Sequence, residues 1–146
     1  MEKELLNTFD KELLLRDLSA RLTYEVKAYV KNWSGLSRKY YEGVYTIYSV
    51  DPSLNQIYVS KKGGSVEVIL GHSDYVIKPY LFPHSSMTEE QKEEYVALQQ
   101  RVIYNSQGPA DLDVMNYVDW CYRHHIDING LIEKGLAIDA TGLKIY

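Results

Sequence analysis

Tyr24-Glu25-Val26-Lys27-Ala28-Tyr29-Val30-Lys31 decides the fold class. Tyr24, Val26, Ala28 and Val30 form one face of this stretch, and Glu25, Lys27, Tyr29 and Lys31 form the other. A period of two with one apolar face is what a half-buried strand requires, because successive side chains point to opposite sides of a sheet. The same signal returns downstream. Residues 32–37, with Gly35, read as a loop, and residues 39–50, dense in Tyr, Val and Ile, as a second strand. Asp51-Pro52-Ser53 supplies a turn, since proline presets the φ angle of the second turn position. Residues 56–60 form a third strand with Ile57 and Val59 inward and Tyr58 outward. Lys61-Lys62-Gly63-Gly64 closes a hairpin onto a fourth strand at 65–70, where Val66, Val68 and Leu70 share a side. Four short antiparallel strands predict a meander or a small SH3-like barrel, with a plain four-stranded sheet covered by helices on one face as the alternative.

Helical spacing brackets this region. Leu5, Leu6, Phe9 and Leu13 predict a first helix ending near Ser19-Ala20. After Tyr75-Val76-Ile77, Pro79 and Pro83 bracket an extended connector. Ser86 with Glu89 fits a capping box opening a helix whose buried stripe is Tyr95, Leu98 and Val102. Asp111 or Asp113 caps a further helix with Val114, Tyr117, Val118 and Cys121 on one face. Residues 127–134 predict a short helix stopped by Gly135 in the left-handed conformation, with 136–138 either adding an edge strand or packing under the barrel. The expectation is one α+β domain over 1–146, strand-rich at 21–77 and helical at 86–135, with two to three C-terminal helices.

Composition narrows the function classes. The longest apolar run is about four residues, far short of the roughly 20 that span a bilayer. Met1-Glu2-Lys3-Glu4 lacks the basic-then-apolar layout of a signal peptide, and Cys121 is the single cysteine, so a cytoplasmic location is expected. The net charge of −4 is unevenly spread: residues 21–64 carry seven Lys/Arg against three Asp/Glu. The 14 Tyr against 2 Phe suit half-buried strands, whose rings pack while the hydroxyls reach water, and also suit binding surfaces.

Motifs for catalysis are weak. Cys121, His124 and His125 lie near one another at helical spacing, but no second Cys/His pair stands at ligand spacing, and Cys121 falls on an apolar stripe. No Gly-x-Ser-x-Gly elbow is present, and Lys61-Lys62-Gly63-Gly64 lacks the spacing of a phosphate loop. No catalytic residue, metal or cofactor is therefore expected. Basic and aromatic residues interleave instead: Lys27, Tyr29, Lys31, Tyr58, Lys61 and Lys62 form a candidate face for single-stranded nucleic acid, which such surfaces bind by stacking and charge.

Three stretches are distinctive as a set. They are Leu13-Leu14-Leu15-Arg16-Asp17-Leu18-Ser19-Ala20-Arg21-Leu22, then Lys78-Pro79-Tyr80-Leu81 with Ser85-Ser86-Met87-Thr88-Glu89-Glu90, and Asp119-Trp120 with His124-His125 and Gly130-Leu131-Ile132-Glu133-Lys134-Gly135-Leu136-Ala137. With these the chain resembles, nearly end to end, a group of small uncharacterised proteins of gut anaerobic bacteria, their mobile elements and phages. It departs from that pattern at Thr23, where proline is common, and at Phe82 and Asn129, where arginine is common. The resemblance implies a phage- or mobile-element-type accessory protein and brings no activity with it. Together these readings predict a non-catalytic binding module with a protein partner. A nucleotide-binding counter-defence protein or small enzyme, and a single-strand binder, are the alternatives. The expected ligand surface is the junction of the strands with the distinctive stretches, at Arg21, Tyr24, Lys78, Tyr80, His124 and His125.

Overall fold

A computed structural model describes residues 8–34, 39–54, 56–61, 64–69, 75–104 and 111–146. Helix α1 spans Thr8–Arg21, and strands follow at Lys27–Ser34 (β1), Lys39–Asp51 (β2), Gln56–Lys61 (β3), Gly64–Ile69 (β4) and Tyr75–Leu81 (β5). Helices Glu89–Ile103 (α2) and Asp111–Arg123 (α3) come next, and Ile138–Asp139 forms a two-residue strand, β6. The protein is α+β as expected. No helix among the described residues is long and apolar enough to cross a membrane.

β1 to β4 pair in sequence as an antiparallel meander, but the sheet does not stop at four strands. Its order is β4-β3-β2-β1-β5-β6, so β5 returns to lie antiparallel beside β1, and β6 adds in parallel to β5. β4 and β6 are the two edges, and no described ladder joins them. The sheet is thus open rather than closed into an SH3-like barrel. The expected connector around Pro79 is strand β5. Its far side is paired with β6 only from Tyr80 onward, so a residue without an N–H at position 79 removes no bond from that short ladder.

The inward face carries the core. Val26, Ala28 and Val30, the alternation that opened the reading, are all fully buried. They pack with Tyr45, Ile47, Ile57, Val59, Ile77 and Leu81 of the other strands, with Leu14, Leu15 and Leu18 of α1, and with Leu131, Leu136 and Ala137. Tyr24 does not extend the strand as expected. It ends a 3-10 turn at Leu22–Tyr24, and Glu25 then reverses the chain at φ 54°. Of the expected α1 stripe, Leu13 packs against the core and Phe9 is exposed, while Leu5 and Leu6 lie outside the described residues. β1 continues to Ser34, shortening the predicted loop; residues 35–38 and the central Lys62-Gly63 of the predicted hairpin lie outside the described residues.

α2 and α3 form a hairpin around a smaller cluster of Met87, Trp120, Cys121 and Ile126, flanked by Phe82, Tyr95, Leu98 and Tyr117. Trp120 Nε1 donates to Glu94 at 2.9 Å, and the Tyr95 and Tyr117 hydroxyls meet at 2.9 Å, tying the helices together. The capping box of α2 lies two residues later than the sequence suggested. Thr88 accepts from the Gln91 N–H, and Gln91 accepts from the Thr88 N–H. Ser86 instead bonds the Pro83 carbonyl in a 3-10 turn, which lets Met87 enter the small core before the helix begins. Val114 of α3 is exposed rather than on the buried face.

The predicted helix at 127–134 is a run of turns. Buried Asp127 accepts from the N–H groups of Leu131 and Ile132, both at 2.9 Å, and so replaces the helical ladder locally. Gly135 does adopt the expected left-handed conformation, at φ 73°. Asp127→Ala is expected to cost about 1–3 kcal/mol, because it orphans two N–H groups beside the core. Chemical denaturation measures this, and an unchanged midpoint would contradict the role given to Asp127.

Candidate functional site

Arg21 closes α1, where the helix end meets α3 and the turns after it. Its Nε donates to Asp17 Oδ1 at 2.6 Å and its Nη2 to Asp17 Oδ2 at 3.2 Å, the pairing that an i, i+4 spacing favours. Nη2 also donates to the Ile126 carbonyl at 2.8 Å, and the guanidinium lies 4.7 Å from the centroid of the Tyr122 ring. Asn129 Nδ2 adds a third bond to Asp17 at 2.8 Å. Arg21 has no exposed surface and Asp17 almost none, so the pair is shielded from ligands. Arg21 Nη1 and His125 Nδ1 are buried without a hydrogen-bond partner among the described residues.

The other junction candidates separate. Tyr24 donates its hydroxyl to Asp119, which also pairs with Arg123. His124 lies against the Trp120 ring at 4.4 Å between centroids. His125, at φ 58°, turns the opposite way and stacks on Tyr146 at 3.6 Å with the rings 13° apart. The Tyr146 hydroxyl donates to the Tyr80 carbonyl at 2.8 Å and accepts from the Lys27 N–H at 3.0 Å, bridging β1 and β5. Burial pushes His125 down to about 4, helped by the charges of Arg21, His124 and Lys27, so its imidazole is neutral near pH 7. Burial likewise pushes the Cys121 thiol up to about 11, which makes it a poor nucleophile. Cys121, His124 and His125 do not converge. Among the described residues, no group of three or more His, Cys, Asp or Glu is placed to hold a metal ion.

The second candidate surface is the outward face of the sheet. Lys27, Tyr29 and Lys31 of β1 stand opposite Thr46, Val44 and Glu42 of β2, and Lys78 and Val76 of β5 stand beside Tyr29 and Lys31. Lys31, Glu42, Val44 and Val76 are exposed on this face. Glu42 accepts from the Tyr29 hydroxyl at 2.8 Å, and bonds from Tyr29 and Tyr40 hold its carboxyl below the usual range. The same bond to Glu42, chiefly, pushes Tyr29 up to about 12. The Lys31 ammonium lies 6.0 Å from the Tyr40 ring centroid.

At the other end of β2, a bulge between Ile47 and Ser49 changes the parity of the strand. Ile47 pairs with Val59 and Val50 with Ile57, both inward pairs, so Tyr48 is the extra residue and is turned outward. Its ring meets that of Tyr58 at 6.0 Å and 47°. Of the expected face, Lys27, Tyr29, Lys31 and Tyr58 lie on this side of the sheet, together with Tyr40, Tyr48 and Lys78. The Lys61 side chain and Lys62 lie outside the described residues. Lys78 belongs here, across from Tyr29, rather than with Arg21.

Tyr48 had one readable signal, the three-residue step from inward Ile47 to inward Val50, which breaks the period of two. No protein-family model, curated protein or solved structure matches this chain.

Proposed function

We propose that the chain is a non-catalytic binding module of the phage or mobile-element accessory kind, acting in the cytoplasm, and that its working surface is the outward face of the sheet. The observation that carries this reading is the contrast between the two faces of one sheet. The inward face is closed by α1 and the turns at 131–137, whereas the outward face presents Tyr40, Tyr48, Val44 and Val76 to solvent among lysines. Tyrosine in that setting offers large rigid contact area at little conformational cost. The nucleotide-binding alternative has less behind it, because the guanidinium that would meet a phosphate at the junction is enclosed by Asp17, Ile126 and Tyr122.

The reading is tested by affinity capture from cell extract with the wild-type chain and with a Tyr40→Ser/Tyr48→Ser variant, followed by analysis of retained protein and nucleic acid. Both side chains are about half exposed, at 50% and 49%, so the variant is expected to fold. Loss of the retained material in the variant is the expected outcome. Equal recovery by both chains would move the working surface elsewhere.

A further inference from the structure

We infer that the occupant of the outward sheet face is a single-stranded nucleic acid, an inference that rests on that face being the working surface. The aromatic part of the argument is geometric. Tyr40 stands at one end of the face and the Tyr48–Tyr58 pair towards the other, with Tyr29 between them on a neighbouring strand. Tyr40 and Tyr48 are separated by eight positions of β2, about 27 Å of extended strand. That length suits several unpaired nucleotides laid across the sheet. A base stacks on any accessible ring regardless of sequence, which is how sheet surfaces bear single strands.

The placement of lysine chooses between nucleic acid and protein. Tyrosine is enriched in both kinds of interface, whereas lysine is depleted in the buried centre of protein interfaces. Here Lys31 lies on β1, in the interior of the strand order, and Lys78 stands beside Tyr29 on β5, which pairs with β6 only from Tyr80 onward. Lys27 follows along β1, with its ammonium donating to the Ile145 carbonyl at 3.2 Å. An ammonium acts as a point charge for backbone phosphates, and three of them over two neighbouring strands can meet one bound strand. The carboxylate among them, Glu42, is held by the Tyr29 and Tyr40 hydroxyls and offset by Lys31. The apolar side chains Val44 and Val76 are each only about a third exposed, at 38% and 37%, so they add little apolar area of the kind that anchors a protein partner. The face thus carries Lys27, Lys31 and Lys78 against Glu42 and the Glu67 position opposite Tyr58, in a chain whose net charge is −4.

The experiment is fluorescence anisotropy of the full chain with a labelled mixed-sequence single-stranded oligonucleotide across a salt series. Binding at low salt is expected, with the logarithm of the affinity falling against that of salt with a slope of up to about −2 for three lysines. Lys31→Gln/Lys78→Gln should weaken binding and flatten the slope. Tyr40→Leu and Tyr48→Leu should each weaken it roughly fivefold or more with the slope unchanged. Duplex of the same sequence should compete poorly, because its bases are already stacked. Binding that ignores these substitutions, or equal competition by duplex, overturns the inference. No binding by the wild type overturns it too. If the Tyr40→Ser/Tyr48→Ser variant nevertheless loses a captured protein, the sheet face remains the working surface with a protein occupant. If it loses nothing, both readings fall.

Discussion

Asp17→Ala is expected to destabilise the protein by on the order of 3–5 kcal/mol, a large share of the roughly 5–15 kcal/mol that holds an ordinary domain folded. The cause is the residue left behind. Arg21 has no exposed surface, and both of its engaged nitrogens face Asp17, with the Ile126 carbonyl as the remaining acceptor. Without the carboxylate, a guanidinium that cannot lose its proton is enclosed in the protein with one carbonyl and the Tyr122 ring for company. Asn129 loses its partner in the same substitution. Replacing both members, as Asp17→Leu/Arg21→Met, removes the charge together with its desolvation cost and is expected to recover much of the loss. Urea denaturation of the two variants decides the matter. A single variant within about 1 kcal/mol of wild type would mean that water reaches the pair.

The second large effect is a dependence of stability on pH centred on His125. Its imidazole is lowered from 6.5 to about 4 in the folded protein. Below pH 6.5 the unfolded chain takes up a proton that the folded chain refuses, so acidification favours unfolding. The stability carried by the neutral imidazole is therefore fully present above pH 6.5 and is lost as pH falls towards 4. The loss over that window is expected to be on the order of 2–3 kcal/mol. Carboxylates also titrate at the acid end, so the informative quantity is the difference from His125→Asn. Asparagine tolerates the left-handed backbone that His125 adopts at φ 58° but has no proton to gain. The variant should show a shallower fall in stability between pH 6.5 and 4. Parallel curves for the two proteins would contradict the assignment.

The strands were readable where a simple physical rule acted alone. Val26, Ala28 and Val30 alternate because one face of β1 meets α1, and Ile57 and Val59 do so because β3 meets the same core. The lysines and tyrosines of β1 were placed on the candidate face by the same parity. β5 escaped because Lys78-Pro79 resembles a connector, and only its pairing with β1, far back in the chain, makes it a strand. Tyr48 escaped because a bulge is a property of two strands together. The i, i+4 spacing of Asp17 and Arg21 was visible in the sequence, but their burial was not, since it depends on Ile126, Asn129 and Tyr122 from distant segments. The cap of α2 moved by two residues because Met87 is needed in a core that sequence spacing does not reveal.

The seating of β5 beside β1 also fixes an order of events in folding. β1 to β4 are joined by successive hairpins, whose closure involves only short stretches of chain. Val30 must instead find Ile77 across the whole meander, which raises the loop-closure cost by about 1 kcal/mol. The meander is therefore expected to assemble first, with β5 joining it later. In a chain emerging from the ribosome, the strands that carry the tyrosines of the proposed binding face are complete before α2 and α3 have been synthesised.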